Sequence, residues 1–160
     1  MQTLTAWAAR HAITPAAYSD LLHMLGLAVS PDTPTPTGKI PTTEAEVQTW
    51  AQIEHARRTG GRLMRNNSGA LMDETGRLVR YGLGNQSAAI NKVMKSSDLI
   101  GITPVVCSCG HRWGVFTAYE CKAPGWKFRT SDERANAQLA FGKLVISLGG
   151  IFQFVQGGEL

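Results

Sequence analysis

The sequence is poor in the features that mark secreted and membrane proteins. It has three cysteines among 160 residues, and an odd number cannot pair completely within one chain. Its longest nearly uncharged apolar stretch, residues 144–155, is shorter than the roughly 20 residues that span a bilayer. The first residues lack a basic start followed by an apolar core, so no secretory signal is visible. We therefore expect a reduced, cytoplasmic protein that does not enter a membrane.

The composition excludes two further classes of protein. Hydrophobic residues make up 43% and charged residues 18% of the chain, which argues against wholesale disorder and against a fibrous protein. A length of 160 residues corresponds to one domain, or to one domain with a small attachment. Such a domain buries roughly 68–70% of its unfolded surface, and it needs no disulfide or structural metal in order to fold.

The net charge of +4 is unevenly distributed along the chain. Residues 1–43 have two basic and two acidic groups, whereas residues 44–160 have fourteen basic and ten acidic groups. The whole excess of positive charge therefore lies in the second region. A modest basic excess permits a polyanionic partner but does not establish one.

Proline and glycine divide the chain into an N-terminal extension, a linker and a domain. Thr14 is a suitable N-cap with proline directly after it, and Gly26 follows an apolar stripe at helical spacing, so we predict a short helical extension over residues 1–29. The linker, residues 30–43, has four prolines in its first twelve residues, which excludes a helix or a central strand. The domain then covers residues 44–160.

The domain is predicted to be an α/β fold in which a central mixed sheet is flanked by helices. The first expected element is a helix capped by Thr42 or Thr43 and closed by Gly60, followed by two or three strands within 61–83 and a short helix within 86–95. Two strands come next, one from Asp98 and one over Val115–Lys122. A long helix opened by Ser131 and a last strand over 151–155 complete the domain. Side chains alternate between the two faces of a strand, so in the strand over Val115–Lys122 one face should present Phe116, Ala118, Glu120 and Lys122.

Three charged residues in the predicted strands form a candidate chemical site. Asp98 begins one strand, and Glu120 and Lys122 point to the same face of the next. Two carboxylates and a lysine on a half-buried surface are costly, and a divalent cation would offset that cost. Mg²⁺ is often held by one or two carboxylates, and it polarises phosphoryl oxygens and activates water. The same residues also fit a cross-strand salt bridge without a metal.

The pattern Asp98…Glu120-x-Lys122 in this element order resembles the PD-(D/E)XK nuclease superfamily. Six ordered segments resemble more specifically its VRR-NUC branch, common in bacteriophages: Glu44-Ala-Glu46-Val-Gln48, Arg65-Asn66-Asn67-x-Gly69, Gly76-Arg77-x-Val79-Arg80-Tyr81-Gly82, Ser96-Ser97-Asp98-Leu-Ile-Gly101, Glu120-x-Lys122-x-Pro124-Gly125 and the helix containing Gln138. The resemblance covers about residues 44–155 of the chain. It implies a restriction-endonuclease-like core.

The resemblance implies a role for each matching residue. Mg²⁺ or Mn²⁺ would be held by the carboxylates of Glu46, Asp98 and Glu120 and by the backbone carbonyl of Cys121. Lys122 would orient the attacking water or stabilise charge, and Gln138 would support the site. Cys121 occupies a position where an aliphatic residue is usual, which matters little because only its carbonyl is needed.

The activity implied by the resemblance is that of a metal-dependent endodeoxyribonuclease, which hydrolyses phosphodiester bonds by metal-activated water. Branched or structured DNA such as four-way junctions is the implied substrate, with a homodimer as the active form and, for a phage-encoded protein, the host cytoplasm as its location. The residues expected to bind nucleic acid are Arg65, Asn66, Asn67, Arg77, Arg80, Lys127 and Arg129. By themselves these residues also fit a bulged turn and solvated surfaces.

A departure from the family pattern lies between the strands of Asp98 and Glu120. The hairpin there is longer than usual and contains Cys107-Ser-Cys109-Gly-His111, three potential zinc ligands. Structural zinc sites usually space cysteines by about two to four residues and need four ligands, so we expect no zinc. The cysteines are also too close for an easy disulfide. Two rival functions remain open: a catalytically silent DNA-binding module of a phage, and a zinc-stabilised interaction module.

Overall fold

The computed structural model describes residues 8–14, residue 17 and residues 38–158. The predicted N-terminal extension and linker lie mostly outside these residues and stay predictions. In the described part of the extension, the N–H of Ala17 donates to Oγ1 of Thr14 at 3.2 Å, as expected for an N-cap. No helix in the part of the chain that the structure describes has both the length and the apolar character needed to cross a bilayer.

The elements of the domain follow one another in the predicted order. They are α1 (Glu44–Thr59), β1 (Arg62–Arg65), β2 (Gly69–Met72), β3 (Leu78–Tyr81), α2 (Ala88–Val93), β4 (Leu99–Val106), β5 (Arg112–Cys121), α3 (Glu133–Ser147) and β6 (Ile151–Val155). Strand β5 begins at Arg112 rather than at the predicted Val115, because its pairing with β4 extends to the pair of Val106 with Arg112.

Four strands form one mixed sheet in the order β1-β4-β5-β6. Strand β4 pairs antiparallel with β1 and with β5, whereas β6 pairs parallel to β5. The connection from β5 to β6 passes through α3, since parallel neighbours need a long crossover. The predicted mixed sheet flanked by helices is confirmed. Strands β2 and β3 form a separate two-stranded hairpin, which the sequence did not distinguish from the main sheet.

Helix α1 begins and ends where its sequence predicts. Oγ1 of Thr43 accepts from the N–H of Glu46 at 3.2 Å, and the carboxylate of Glu46 accepts from the N–H of Thr43 at 3.2 Å. These two bonds form a capping box. At the other end Gly60 has a φ of 69°, a left-handed conformation that glycine adopts without strain. The predicted cap and the predicted stop are both confirmed.

Strand β5 separates two apolar clusters. On the α1 side, a buried cluster contains Val47, Ala51, Leu63, Leu99, Tyr119, Cys121 and Val155. On the opposite side, Ala118 packs with Phe141 and Val145 of α3. Successive side chains of a strand point to opposite faces, so the predicted alternation along β5 is confirmed. Glu120 consequently lies on the α3 side, where its partners are found.

Helix α3 begins later than the sequence predicted. Asp132 is its N-cap instead of Ser131, because Oδ1 of Asp132 accepts from the N–H of Ala135 at 3.0 Å. The chain that follows α2 contacts α3 directly: the N–H of Lys95 donates to the carbonyl of Ala137 at 3.0 Å. This bond brings α2 beside the helix that faces Glu120.

The turn between β4 and β5 corrects the prediction about the cysteines. Cys107 and Cys109 form a disulfide, with their Cα atoms 5.2 Å apart. The turn supplies this proximity, since the N–H of Gly110 donates to the carbonyl of Cys107 at 2.9 Å and Gly110 has a φ of 82°. The expectations that short spacing prevents a disulfide and that all three thiols are reduced are therefore wrong. Only Cys121 is a free thiol.

Candidate active site

Glu120, Lys122 and Gln138 form a closed and buried hydrogen-bond network. Nζ of Lys122 donates to Oε1 of Glu120 at 2.9 Å and to Oε1 of Gln138 at 2.9 Å. Nε2 of Gln138 donates in turn to Oε1 of Glu120. All three side chains are buried between β5 and α3, with Glu120 0% and Gln138 1% exposed. The predicted pair of Glu120 and Lys122 is thus brought together with the predicted helical glutamine.

Glu120 lacks full compensation for its burial. Burial raises the pKa of Glu120 to about 8, and the nearby charge of Asp98 acts in the same direction, while Lys122 opposes both. Glu120 accepts from Lys122 and from Gln138 through Oε1, whereas its Oε2 is buried with no hydrogen-bond partner. A buried polar atom without a partner is costly, and its presence indicates a place for a ligand atom or ion.

Asp98 lies beside Glu120, directly before β4. The register pairs Leu99 with Tyr119, so the next pair in the antiparallel ladder would be Asp98 and Glu120. Oδ2 of Asp98 accepts from the N–H of Cys121 at 3.0 Å, which fixes the carboxylate against the end of β5. The two predicted acids, Asp98 and Glu120, are therefore neighbours on the face of the sheet that packs against α3.

The donor set fits a hard divalent cation. Asp98 and Glu120 supply carboxylate oxygens, of which Oε2 of Glu120 has no partner, and the carbonyl of Cys121 is the third oxygen named by the sequence. The thiol of Cys121 does not belong to this set, because it is buried in the α1-side cluster and burial raises its pKa well above the usual range. Cys121 would thus contribute through its backbone, as predicted.

Glu46 has a structural task of its own. Its carboxylate pairs with Nζ of Lys39 at 2.9 Å and accepts from the N–H of Thr42 at 2.8 Å, in addition to closing the capping box. These bonds, that of Lys39 first, lower the pKa of Glu46 to about 2. Its role as a metal ligand stays a prediction. Glu44, which the sequence did not assign to the site, has a charge that acts on the thiol of Cys121.

Asn66 supports Asp98 instead of presenting its amide to solvent. Its Nδ2 donates to Oγ of Ser96 at 2.9 Å and to the carbonyl of Ser97 at 2.8 Å. Its backbone N–H donates to the carbonyl of Asp98 at 2.7 Å. The side chain holds the segment that leads into β4. Its predicted contact with nucleic acid is not tested by these bonds.

The other residues predicted to bind nucleic acid are distributed over two regions. Arg80 lies on β3, and its Nη1 donates to Oδ1 of Asn85 at 3.2 Å. The other five side chains are exposed: Arg65, Asn67, Arg77, Lys127 and Arg129. The last two belong to the segment that follows the buried lysine, where the Trp126 ring centroid is 5.5 Å from Nζ of Lys122. The structure leaves their role a prediction.

The turn of β4 and β5 holds a second group of potential ligands. Sγ of Cys109 lies 3.2 Å from Nδ1 of His111. The ligand atoms of Cys107, Cys109 and His111 all lie within 4.8 Å of one another, and the chemistry of this group does not single out one ion.

Comparison with known proteins yields no relative for this chain: no family model, no curated protein and no solved structure matches it. The resemblance to VRR-NUC nucleases accordingly rests on the six sequence segments alone.

Proposed function

We propose that the protein is a metal-dependent endodeoxyribonuclease that hydrolyses DNA phosphodiester bonds. Asp98, Glu120 and Lys122 would form its active site. The observation that carries the proposal is the buried network of Glu120, Lys122 and Gln138, in which Oε2 of Glu120 has no partner and Asp98 lies alongside. A simple salt bridge between Glu120 and Lys122 would explain the lysine but not a second carboxylate and an unpartnered oxygen. A strongly perturbed carboxyl such as that of Glu120 is typical of functional sites.

The oxygens of Asp98, Glu120 and the Cys121 carbonyl are the ligands that would hold Mg²⁺ or Mn²⁺. Such an ion supplies Lewis acidity at a phosphoryl oxygen and a bound water of lowered pKa. Binding of a cation also explains why Glu120 is kept in a position that disfavours its ionised form, since a positive ion would restore the charged carboxylate.

Lys122 has the geometry of a residue that acts on charge developing in the reaction. A lysine ammonium has three N–H donors. Two of them are directed to Glu120 and Gln138, which leaves one to orient the attacking water or to stabilise the phosphorane-like transition state. In this reaction the water oxygen bonds to phosphorus while the bond to the leaving oxygen breaks, so no covalent intermediate with the protein forms. Gln138 is a positioning residue that fixes both charged partners.

The preferred substrate and the oligomeric state belong to the same proposal. Branched DNA, exemplified by a four-way junction, and a homodimer are both supported by the similarity to phage VRR-NUC nucleases. A two-fold dimer would also present two sites to a symmetric junction.

Cleavage assays with matched variants test the activity. Wild-type protein, Asp98→Asn and Lys122→Ala are incubated with Mg²⁺ and either plasmid or four-way-junction DNA. We expect wild-type cleavage and a loss of roughly 10²–10³-fold in rate for Lys122→Ala, because removing one preorganised donor costs about that much. Asp98→Asn should lose at least as much, since it removes a charged ligand.

The control is Lys143→Gln, which removes an exposed lysine from α3 and should cleave like wild type. Cleavage that persists in both site variants would contradict the assignment of the site. Binding of DNA without cleavage by the wild-type protein would instead favour the rival function of a silent DNA-binding module.

A further inference from the structure

A cleft of about 370 Å³ lies beside the acid site, where β3, α2 and α3 approach one another. The side chains that line it include four basic residues and one acidic residue, with an asparagine between them: Arg80, Lys92, Lys95, Arg134, Glu133 and Asn91. Arg80 belongs to the residues that the sequence assigned to nucleic-acid binding, and Arg134 lies near a helix start, where the sequence also favours a bound anion. The cleft thus has a composition that the linear sequence did not reveal.

No ion pair among the described residues involves the basic side chains of the cleft. The ion pairs of the described residues join other lysines or arginines to Glu46, Glu54 or Glu120. Lys95 is half-buried, and burial followed by the charge of Arg134 lowers its pKa. Four cations gathered against one carboxylate would repel one another, so a bound anion would stabilise the arrangement.

One wall of the cleft is held in place by buried amide groups. Oδ1 of Asn85 accepts from Nη1 of Arg80 at 3.2 Å and from Nδ2 of Asn91 at 3.1 Å. Nδ2 of Asn85 donates to the carbonyls of Gly69 at 2.6 Å and Tyr81 at 2.9 Å. Asn85 is 4% exposed and connects the β2–β3 hairpin to α2. The guanidinium of Arg80 is therefore oriented before any ligand arrives, which lowers the entropic cost of binding.

The cleft and the acid site share α3. The N–H of Lys95 donates to the carbonyl of Ala137, the residue that precedes Gln138. Gln138 bonds to Glu120 and Lys122 on the other side. The charges of Glu120 and Asp98 also act on Lys95, which places its ammonium within electrostatic range of both acids. A ligand in the cleft would thus lie within electrostatic range of a substrate phosphate held at the acids.

We propose that this cleft binds a phosphate group of a nucleic-acid strand, adjacent to the phosphate that is hydrolysed. The proposal rests on the nuclease function proposed above and adds Lys92, Lys95 and Arg134 to its binding surface. An arginine fork and point charges of lysine together match the oxygens of a phosphodiester. Contacts of this kind position a strand without reading its sequence, and they suit an enzyme that selects a DNA structure.

Binding measurements at several salt concentrations test the cleft directly. The double variant Lys95→Gln/Arg134→Gln and the wild type are titrated with a labelled four-way junction in EDTA, so that cleavage does not compete. We expect the double variant to bind at least about tenfold more weakly. We also expect its slope of log K against log salt to be smaller by about 0.9 for each phosphate contact removed.

Two control variants and a fold check accompany this measurement. Lys143→Gln removes an exposed charge from the same helix outside the cleft and should bind like wild type. Asp98→Asn should keep the wild-type salt slope, since it removes no cation. Circular dichroism and thermal unfolding show whether the double variant is folded, and the single change Lys92→Gln, at an exposed position, provides a milder second test.

The outcomes separate the cleft from the nuclease activity. If the double variant binds with wild-type affinity and salt slope, the cleft proposal is overturned, even where the wild type cleaves DNA. If the double variant loses affinity while the wild type never cleaves, the cleft stands and the nuclease proposal fails. Oligonucleotides with either a phosphate or a hydroxyl at the 5′ end distinguish the source: a backbone phosphate predicts equal losses for both, and a terminal phosphate predicts a loss only for the first.

Discussion

Glu120 lies in an environment that disfavours its charged form. It is fully buried, it has one neighbouring carboxylate, and its lysine and glutamine partners bond to only one of its two oxygens. A carboxyl chosen for stability alone would be replaced at such a position by an apolar or neutral residue. We infer that Glu120 is retained for function, at a cost in stability that a bound cation would reduce.

The cost at Glu120 has a defined pH dependence in the absence of metal. Folded Glu120 holds its proton up to about pH 8, whereas its unfolded counterpart loses it near 4.5. The folded state therefore binds more protons between these values, and this contribution to stability is complete below 4.5 and is lost as the pH rises through 8. Relative to Glu120→Gln, wild type should lose up to about 1.4 kcal/mol of unfolding free energy per pH unit in this window.

Urea unfolding of both proteins in EDTA from pH 5 to pH 8 measures this difference. Glu54→Gln is the matched control, because Glu54 is also a buried glutamate, but its pKa is lowered to about 2 by Arg57 and then by Arg58. Its stabilising contribution is present above 4.5 and is lost only below that pH, so the control difference should be constant from pH 5 to pH 8. A constant difference for Glu120→Gln as well would contradict the raised pKa.

At the scale of single elements, the turn between β4 and β5 is the part that departs most from the sequence-based prediction. The disulfide and His111 bring two sulfurs and an imidazole nitrogen into one small volume at an exposed tip. The same three groups in reduced form are soft ligands suited to zinc. The disulfide and a metal site exclude each other, because a metal ligand must be a thiolate.

The disulfide predicts a simple count of thiols. Protein that is unfolded in guanidinium without a reductant should react with a thiol reagent at one cysteine per chain, which is Cys121. After reduction the count should be three. In Cys121→Ala the unreduced protein should show no reactive thiol. Three thiols before reduction, together with one zinc per chain by elemental analysis, would refute the disulfide and favour the zinc-stabilised interaction module.

The β2–β3 hairpin is the element with the weakest support of its own. A two-stranded sheet is marginal in water, and this one is held to the domain by the bonds of Asn85 and by the N–H of Leu83, which donates to Oδ1 of Asn66 at 3.3 Å. Gly82 allows the close approach, since an added Cβ would lie 2.5 Å from Cα of Ser68 and φ is +92°. The position of the hairpin places Arg80 in the lining of the cleft.

At the scale of the whole molecule, exposed apolar residues occur on most elements, and the β2–β3 hairpin presents several of them. Leu71, Met72, Leu78 and Tyr81 are 53%, 63%, 53% and 46% exposed. Alternation along the strands places Met72 and its cross-strand partner Leu78 on one face of the hairpin, and Leu71 and Tyr81 on the other. Exposed apolar residues often mark an interface, and we place the proposed contact between two copies of the chain at Met72 and Leu78. The cationic cleft borders the same hairpin, so a dimer formed there would bring two clefts into one assembly.

Sedimentation equilibrium at micromolar concentration tests this interface. We expect a dimer for wild type and a monomer for Met72→Lys/Leu78→Lys, because these cross-strand partners would place two ammonium groups in the apolar contact. The control Ile146→Lys alters a residue of α3 that is 57% exposed and should leave the dimer intact. A monomeric wild type would contradict the homodimer.

Features that depend on neighbours a few residues apart could be predicted from the sequence. A cap at Thr42 or Thr43, the stop at Gly60 and the order of helices and strands all follow from local hydrogen bonding and periodicity. The structure selects Thr43 and adds a capping box with Glu46. The shared face of Glu120 and Lys122 follows from the alternation of a strand. Asp98 follows from its place at the start of the neighbouring strand, and Gln138 could be added through the family resemblance. The structure places both beside Glu120.

Features that depend on distant segments meeting were decided only by the tertiary structure. The unpartnered Oε2 of Glu120 and its raised pKa require the contact of β5 with α3, and the cleft requires Arg80, Lys95 and Arg134 from three separate elements. Local sequence patterns do not predict these features, because burial and Coulomb energy depend on distances in space and not on separation along the chain. The positive excess of residues 44–160 was countable from the sequence, but its concentration in one cleft beside two acids was not.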